Sequence, residues 1–440
     1  MKIDYKIKNL SGWGNYYDYS AKVFYPNYVE EMMSNISNLN NIIARGYGRS
    51  YGDSACSTNV IETSNFNKII FFDKENGILK TESGIKLFEI INLILKHNWF
   101  LPVTPGTSNI TIGGAVASDV HGKNHHNSGT FSKHILSITL LLGSGEIIEA
   151  SLEKNIDLFR ATCGGMGLTG IILDVTFKLI SIKSNFIDLK TIKTKSLRET
   201  CETFQIYSDA NYSVAWINFF EKSTKSMRGI VSIGEHSQTY LVNKNIKIKK
   251  SFAIPNYISS FLNDFNINIF NKLYYHLNNL KNENKILLDK YFYPLDGVKN
   301  WNYLYGRKGF LQYQFVIPNE SGIYNLELIV NKILNSKHRP YLAVLKKFGP
   351  SNGNLLSFPI EGFTLALDFK FSNDLPKLLY ELDLLIIDLG GKINLCKDAI
   401  MKKSTFRRIY PEWSNFEEIR EKYNAIGKFS SLQSRRLGLL

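Results

Sequence analysis

The sequence contains little cysteine and proline and no long hydrophobic run. It has four cysteines and 11 prolines in 440 residues. Cys56, Cys163, Cys201 and Cys396 lie far apart and form no C-x-x-C pair. The sequence therefore predicts neither a disulfide framework nor a zinc site, and free thiols in a reducing compartment are expected.

Membrane-spanning and secretory segments are not predicted either. The longest apolar run, Ile135–Leu142, is too short to cross a bilayer and contains Ser137 and Thr139. Residues 1–10 lack the apolar core of a signal peptide. With 44% hydrophobic and 21% charged residues, wholesale disorder is excluded. We expect a cytoplasmic protein, with peripheral contact at the inner membrane as an alternative.

The charge balance is basic, with 53 Lys and Arg against 39 Asp and Glu and a net charge of +14. Such an excess is typical of proteins that bind nucleic acid, anionic membranes or acidic ligands, but it also fits an ordinary solvated surface. The basic clusters are short and scattered, at 247–250, 402–403, 407–408 and 435–436. No nucleic-acid partner is therefore predicted.

Periodicity predicts an α+β chain in three parts. Residues 1–182 alternate short strands with Gly-rich turns, residues 183–391 carry longer aromatic strands covered by helices, and residues 392–440 return to compact α/β character. The main strands are expected at 41–45, 68–73, 77–81, 135–142, 171–179, 212–219 and 310–317, and the helices at 85–96, 156–162, 323–334, 375–389 and 415–423.

A Lys- and Asn-rich stretch with apolar residues lies between about 243 and 290. Its apolar members include Phe252, Ile254, Tyr257, Ile258, Phe261, Leu262 and Phe265. We favour an ordinary surface excursion here. The alternative is a lid that contacts a membrane or an apolar substrate.

The first motif is a Gly-rich loop directly after a predicted buried strand, Arg45-Gly46-Tyr47-Gly48-Arg49-Ser50-Tyr51-Gly52-Asp53. Three glycines within seven residues let backbone N–H groups converge on one point, which suits phosphate oxygens. Arg45 and Arg49 would add positive charge for a pyrophosphate. The motif alone equally fits a tight turn with two surface arginines.

The second motif begins at Gly106 and continues through residues 111–122. Its Gly, Ala and Ser residues would let a flat aromatic cofactor lie against the backbone, although a packing seam between helix and sheet has the same composition. Four of the eight histidines fall within fourteen residues, at His121, His125, His126 and His134. This density, beside Asn124, indicates a site, although His125 and His126 would point to opposite sides of an extended segment.

A third motif, Gly165–Gly170, matches G-x-G-x-x-G. A dinucleotide-binding Rossmann turn needs a strand before these glycines and a helix after them. Here the predicted helix precedes and the predicted strand follows. A nicotinamide Rossmann site is therefore not predicted.

Together these segments resemble a known family. ARGYGRSYGD (44–53), PGTSNITIGGAVASDVHGKNHHNSGTF (105–131) and LFRATCGGMGLTGII (158–172) are similar, in order and spacing, to the FAD-binding domain of vanillyl-alcohol-oxidase (PCMH-type) flavoproteins. The segments at 293–318, 344–369 and 434–440 further resemble the subfamily of decaprenylphosphoryl-β-D-ribose 2-oxidases. The likeness covers nearly the whole chain and thins between about 183 and 290.

The resemblance implies a PCMH-type FAD domain of two subdomains, formed by 1–182 with 392–440, around a substrate domain at 183–391. FAD is expected to be noncovalent, because Arg49 stands where many relatives carry the histidine that attaches the flavin. The implied cofactor-binding residues are Ala44, Arg45, Gly46, Tyr47, Gly48, Arg49, Ser50, Tyr51, Gly52, Asp53, Ser54, Gly106, Thr111, Ile112, Gly113, Gly114, Ser118, Asp119, Val120, His121, Gly122, Asn124, Ile172 and Asn394.

The resemblance also implies catalytic and substrate-binding residues. Lys397 matches the family lysine that reaches the sugar hydroxyl, although most lysines are solvated surface residues, and His121 is the second catalytic candidate. Gln312 and Gln314 face one side of a strand, which suits sugar hydroxyls but also an ordinary wet face. The implied substrate residues are Tyr51, Lys123, Gln312, Gln314, Lys346, Ala366 and Lys397.

Two positions depart from the family pattern. Ala366 replaces a pocket cysteine, and Asn394 replaces a tyrosine. The first change alters the shape of the pocket and its sensitivity to covalent inhibitors. The second loosens one flavin contact, and neither removes the redox chemistry.

The implied activity is oxidation of the 2-hydroxyl of a polyprenyl-phosphoryl-β-D-ribofuranose to the 2-keto sugar. A separate NAD(P)H-dependent short-chain reductase would complete epimerisation to the arabinofuranose donor for cell-envelope glycans. The alternative within the enzyme class is oxidation of a soluble sugar, alditol or aldonolactone. The alternative outside it, a binding or scaffold protein with a decayed flavin site, is disfavoured by the intact Gly-rich loops, His121 and Lys397.

Overall fold

A computed structural model describes residues 4–239, 252–255, 262–278 and 283–439. The described residues form an α+β fold of mixed helices and mainly antiparallel sheets. Of the apolar residues noted in the 243–290 stretch, Tyr257, Ile258 and Phe261 lie outside this description. None of the helices within it is long and apolar enough to cross a bilayer.

The first sheet has four strands and carries the Gly-rich loop. Its strands are β1 (Lys6–Leu10), β2 (Tyr19–Phe24), β3 (Ile42–Arg45) and β4 (Asn59–Glu62), in the order β1-β2-β4-β3, with helix α1 (Val29–Asn38) between β2 and β3. The loop begins where β3 ends. Because β3 pairs in parallel with β4 inside the core, the start of the loop is held firmly.

The second sheet has five antiparallel strands. They are β5 (Ile69–Asp73), β6 (Ile78–Glu82), β8 (Ile135–Leu141), β9 (Ile147–Ala150) and β10 (Ile171–Lys178), in the order β5-β6-β10-β8-β9. Strand β7 (Trp99–Phe100) pairs separately with β11 (Ile180–Ser181).

Four helices accompany this sheet, α2 (Leu87–Ile94), α3 (Ile112–Ala117), α4 (His125–Ser128) and α5 (Ile156–Thr162). The predicted stripe on α2 is confirmed, since Leu87, Ile90, Ile91 and Ile94 are all buried. The glycines at 165–170 follow helix α5 and precede strand β10, which is the reverse of the Rossmann order, as predicted.

The third sheet has eight antiparallel strands. They are β12 (Phe186–Thr194), β13 (Tyr212–Ile217), β14 (Gly229–His236), β16 (Glu283–Leu287), β18 (Phe310–Pro318), β19 (Leu342–Phe348), β20 (Gly362–Lys370) and β21 (Lys392–Ile393), in the order β16-β12-β14-β13-β19-β20-β18-β21. Strands β15 (Phe252–Ala253) and β17 (Val298–Lys299) form a small parallel pair. The accompanying helices are α6 (Leu197–Ile206), α7 (Asp264–Leu277), α8 (Leu288–Phe292), α9 (Gly322–Leu334) and α10 (Leu375–Asp388).

The register of this sheet decides which side chains share a face. Gln314, Ala366 and Val344 lie directly opposite one another on β18, β20 and β19, so all three point to the same side. Tyr313 points to the other side, where its hydroxyl donates to Asp383 of α10 at 2.8 Å. Helices α9 and α10 therefore cover one face, and the face with Gln314 is left for the site.

The C-terminal segment returns to the first two sheets. It contains α11 (Lys403–Ile409), α12 (Trp413–Lys422) and α13 (Leu432–Leu437). Phe429 bridges to Ile42 of β3, and the fully buried Arg420 donates to the carbonyl oxygens of Leu168 and Phe429. The division at residues 182 and 391, and the two subdomains of the FAD domain, stay predictions.

Candidate active site

One cavity of about 1400 Å³ lies between the Gly-rich loops and the open face of the eight-stranded sheet. Its wall includes most of the predicted site residues: Ala44, Gly46, Tyr47, Gly48, Arg49, Ser50, Tyr51, Ser54, Gly106, Thr111, Gly113, Gly114, Ser118, Asp119, Val120, His121, Ile172, Gln312, Gln314, Lys346, Ala366, Asn394 and Lys397. Residues from all three parts of the chain thus meet around one space.

The Gly-rich loop has the backbone of a phosphate cradle. Within the described residues, the N–H groups of Gly46–Ser50 donate to no protein acceptor. Gly48 has φ +62°, a left-handed conformation that favours glycine, and a methyl group on Gly46 would collide with Thr111. Free N–H groups beside a cavity are what the pyrophosphate of FAD requires, so this loop fits the cofactor.

Arg49 supplies the charge beside this loop. Its guanidinium carbon lies 3.9 Å from the centre of the Trp13 ring, and its Nε atom is buried without a hydrogen-bond partner. Burial lowers the pKa of Arg49, although an arginine stays charged. A buried, unpaired N–H group at the cavity wall favours an anionic ligand there.

Three other predicted loop residues do not line the cavity. Arg45 turns back into the protein and donates to the carbonyl oxygens of Ser11 at 2.8 Å and Ala55 at 3.0 Å. Gly52 packs against the Asp398 carbonyl, and the Asp53 carboxylate pairs with Arg436. The structure therefore does not bring the Arg45 guanidinium to the cavity wall, and a contribution of its charge to pyrophosphate binding stays a prediction.

Four predicted residues of the second motif also lie away from the wall. Ile112 is fully buried in the core and Gly122 packs against Thr104. The Asn124 amide donates to the Pro102 carbonyl at 2.8 Å. Lys123 donates to the Tyr291 carbonyl, and burial lowers its pKa to about 7. The structure therefore does not bring the Lys123 ammonium to the cavity, contrary to its prediction as a phosphate ligand.

The density of histidines was a misleading signal. His125 accepts the Gly349 N–H at 3.1 Å, and His126 and His134 contact the carbonyl oxygens of Ala210 and Ser128. His125 and His126 begin the short helix α4, so the segment is not extended as assumed. Only His121 of the four lines the described cavity.

His121 is held between two other wall residues. Its Nε2 lies 3.2 Å from the Gln314 amide nitrogen, and its Nδ1 lies 3.2 Å from Lys346 Nζ. The pKa of His121 is well below its usual range, mainly because the ring is buried and secondly because the charge of Lys346 is close to it. Burial, with the charges of Lys397 and Lys123, lowers the pKa of Lys346 to about 7.

The His121 tautomer and the Lys346 charge are coupled. A neutral imidazole carries one N–H group. If Gln314 donates to Nε2, then Nδ1–H donates to a neutral Lys346 amine. If Lys346 is an ammonium and donates to Nδ1, then Nε2–H meets the Gln314 amide nitrogen, itself a donor, and the hydrogen bond between them is lost.

Lys397 lies in the turn that follows β21. Its Nζ lies 4.0 Å from the centre of the Tyr51 ring, and its backbone N–H donates to the Asn394 carbonyl at 3.0 Å. The Asn394 side chain donates to Gln314 Oε1 at 3.0 Å, which links this turn to His121 through Gln314. Burial lowers the pKa of Lys397, while Cys396 and Asp368 oppose the shift.

Asp368 was not among the predicted site residues. It lies on β20 directly opposite Gln312, whose amide donates to Oδ1 at 2.5 Å. Burial raises its pKa to about 6, and Gln312 and Lys397 moderate that rise. The sequence did contain a signal for this residue. It is an aspartate inside the apolar strand GFTLALDFK, two residues after Ala366 and therefore on the same face of the strand.

A second unpredicted contact closes the cavity wall at residues 287–301. The Asp296 carboxylate accepts hydrogen bonds from Thr107 Oγ1 at 2.5 Å and from Ser108 N and Oγ at 2.7 Å each. The Tyr293 and Thr104 hydroxyls lie 2.6 Å apart. This segment, which we call the strap, joins the eight-stranded-sheet part of the chain to the Gly106 loop.

Comparisons with known proteins agree with this geometry. Residues 23–151 match the FAD binding domain family. The chain is 34% identical to decaprenylphosphoryl-β-D-ribose oxidase of Mycolicibacterium smegmatis over 98% of both chains. It is 26% identical to an uncharacterised Streptomyces coelicolor protein over 81% of this chain and all of the relative.

Lactone oxidases match a shorter part. L-gulonolactone oxidase of Mus musculus is 26% identical over 46% of both chains. The cradle, the cavity and the full-length similarity concur that FAD is the cofactor. The chain is an FAD-dependent oxidoreductase and belongs to the decaprenylphosphoryl-β-D-ribose oxidase family.

Proposed function

We propose that this protein oxidises the 2-hydroxyl of a polyprenyl-phosphoryl-β-D-ribofuranose to the 2-keto sugar, with FAD bound noncovalently. The observation that carries the proposal is the group of Lys397, His121, Lys346 and Gln314 in the same cavity wall as the Gly-rich cradle. The name of the Mycolicibacterium smegmatis relative, decaprenylphosphoryl-β-D-ribose oxidase, supports the choice of a lipid-linked ribose.

FAD, when bound, supplies the acceptor for the hydride that leaves the alcohol carbon. The residues of the chain then have to orient the hydroxyl and manage its proton. Burial lowers the pKa of Lys397, so its amine is available to accept that proton at Nζ. The ammonium that results would stabilise the negative charge developing on the sugar oxygen.

The remaining polar wall residues would position the sugar and its phosphate. Gln312 and Gln314 present amides on one face of β18, where sugar hydroxyls would find both donors and acceptors. In its ammonium form Lys346 would attract the phosphate diester. Ala366, between Gln314 and Val344, leaves room against the sheet.

Two observations support noncovalent FAD. Arg49 occupies the loop position at which many relatives carry an attaching histidine. The one histidine in the described cavity wall, His121, has its ring nitrogens next to Gln314 and Lys346.

We further propose a cytoplasmic location with peripheral membrane contact, and an NAD(P)H-dependent short-chain reductase that reduces the keto product.

An anaerobic absorbance titration tests the proposal. Purified protein is expected to show flavin bands that bleach on addition of a polyprenyl-phosphoryl ribose, and acid precipitation should release all FAD into the supernatant. Bands that bleach with L-gulonolactone or an alditol, but not with the lipid-linked sugar, would replace the substrate with the soluble alternative. Flavin retained in the precipitate would overturn noncovalent binding.

A further inference from the structure

Helix α7 exposes large apolar side chains to solvent. Phe265, Ile269, Leu273 and Leu277 are spaced four residues apart, so they form one stripe, and Phe270 lies beside them. Phe265 is 73% exposed and Leu277 is 63% exposed. We call these five residues the α7 apolar face. Contiguous apolar exposure of this kind marks a surface that binds a partner.

The opposite side of α7 attaches the helix to the protein. Ile267 and Asn271 are buried, and the Asn271 amide donates to Asn218 Oδ1 at 2.9 Å. The Tyr275 hydroxyl donates to the Thr194 carbonyl at 3.3 Å. Since the helix is fixed by this other side, the α7 apolar face is not needed for packing against the described residues.

The helix lies on the same side of the eight-stranded sheet as the cavity. Trp216 on β13 lies directly opposite Val344, and it therefore extends the row formed by Gln314, Ala366 and Val344. Gln314, Ala366 and Val344 line the cavity. Trp216 packs edge-on against Tyr274 of α7, with 5.0 Å between the ring centres. One continuous row of side chains thus runs from the sugar-binding wall to α7.

The start of α7 is also tied to the cavity wall. Its first residue, Asp264, accepts a hydrogen bond from the Tyr341 hydroxyl at 3.0 Å. Tyr341 directly precedes Leu342, which lines the cavity. One hydrogen bond thus connects the first residue of α7 to the segment that forms the edge of the wall.

The apolar face has a lysine at its edge. Lys272 follows Phe265 by seven residues, so it lies beside the stripe, and it is exposed. Asp264, the one acidic residue of the helix, lies at its first position and accepts the Tyr341 hydroxyl. The whole chain carries +14. An apolar helix face with a lysine at its edge, on a basic protein, is complementary to an anionic lipid surface, where the lysine stem reaches the headgroups.

We infer that the α7 apolar face inserts into the interface of an anionic lipid bilayer and holds the cavity beside the membrane. This contact would let the cavity receive a lipid-linked sugar along the row from Trp216 to Gln314. That part of the inference rests on the proposed function. The lipid contact itself assigns the peripheral membrane contact of the proposed function to this helix and does not depend on the identity of the substrate.

Vesicle sedimentation with the FAD-loaded full chain tests the inference. The probe is an equimolar mixture of phosphatidylglycerol and phosphatidylethanolamine, compared with phosphatidylcholine alone. The double variant Phe265→Ser, Leu273→Ser should bind the anionic vesicles at least about tenfold more weakly, because two exposed apolar side chains are lost. Lys272→Glu should weaken binding to the anionic vesicles and leave binding to phosphatidylcholine unchanged.

Ile206→Ser on α6 is the matched control, because Ile206 is a singly exposed apolar residue, 75% exposed, on another helix. Its vesicle binding should equal that of the unmodified protein. Flavin absorbance checks that every variant is folded. If the unmodified chain does not sediment with anionic vesicles, or if the double variant binds as well, the inference is wrong.

Size-exclusion chromatography with light scattering tests the alternative that a second copy of the chain covers the α7 apolar face. If the double variant changes the oligomeric state while vesicle binding is absent, a second copy of the chain covers this face and the inference is overturned. If vesicles bind as expected but the lipid-linked ribose is not oxidised, the proposed function fails and the membrane contact stands.

Discussion

At the scale of single residues, burial of amines dominates the chemistry of the site. Lys123, Lys346 and Lys397 are each partly buried, and this burial lowers the pKa of each amine. Their roles differ because their partners differ. Lys123 is bonded to a backbone carbonyl, Lys346 contacts His121, and Lys397 faces the cavity beside Tyr51. A lowered pKa makes an amine easier to deprotonate, which suits proton transfer.

Lys397→Met is expected to slow flavin reduction by the lipid-linked sugar by about 10²–10⁴-fold, because it removes the proton acceptor. The measurement is the anaerobic bleaching rate in a stopped-flow instrument. FAD content should remain, since the cradle at residues 46–50 is untouched. Lys397→Arg, which keeps a charge but not a titratable amine, should be similarly slow. A variant that reduces its flavin at the normal rate would remove Lys397 from the mechanism.

Lys346 gives a prediction for pH. Its pKa of about 7 means that the free protein carries the ammonium below pH 7 and loses it above. The value of kcat/KM for a phosphate-bearing substrate should therefore fall as the pH rises through about 7. Lys346→Met should have a lower kcat/KM that lacks this decline. Lys347→Met is the control, because residue 347 points to the other side of β19, and it should keep the decline.

At the scale of elements, an ion cluster joins the last helix to both functional loops. Arg436 of α13 contacts Asp53, at the end of the Gly-rich loop, at 2.7 Å and Asp398, next to Lys397, at 3.0 Å. Asp398 in turn accepts the N–H groups of Ile400 and Met401. One arginine thus holds the Gly-rich loop and the turn that carries Lys397 together.

Arg436→Met would leave two buried carboxylates without a counter-charge, which costs on the order of 3–5 kcal/mol. We expect a Tm lower by about 3–5 °C and a reduced FAD content of the purified protein. Calorimetry and the ratio of flavin to protein absorbance measure both. The neighbouring Arg435→Met, at an exposed position, should change neither. Equal Tm and FAD content in the two variants would contradict the role of the cluster.

At the scale of the whole molecule, the cavity exists only where the three parts of the chain meet. The Gly-rich loops form one wall, and β18–β20 form the other. The strap connects the two through the hydrogen bonds from Thr107 and Ser108 to Asp296. Loss of these hydrogen bonds is therefore expected to loosen the strap over the cavity.

Asp296→Asn is expected to speed FAD release by about tenfold, because the hydrogen bonds to a charged carboxylate are weakened. The rate is measured as the rise of flavin fluorescence after rapid dilution of the FAD-loaded protein into flavin-free buffer. Asp289→Asn, in the same strap but with no side-chain hydrogen bond among the described residues, is the control. Equal release rates in the two variants would show that the strap does not retain FAD.

Much of the architecture could be predicted because it depends on short-range patterns. Helix α5 begins and ends at the predicted residues, and β8, β10 and β18 lie within one residue of their predicted bounds. Alternation of side chains along β18 also placed Gln312 and Gln314 on one face. Such periodicities follow from backbone geometry alone and do not depend on distant residues.

The sequence by itself determined the secondary structure, the Gly-rich cradle and the family, because these rest on local periodicity and on motif order. Only the tertiary structure decided the partner of each polar side chain. Asp53 is paired with Arg436 from 383 positions away, and Arg45 is held by backbone carbonyls. Three of the four clustered histidines turned out to bond the backbone rather than the cavity. Asp368 became part of the site for the converse reason, since strand pairing placed it opposite Gln312.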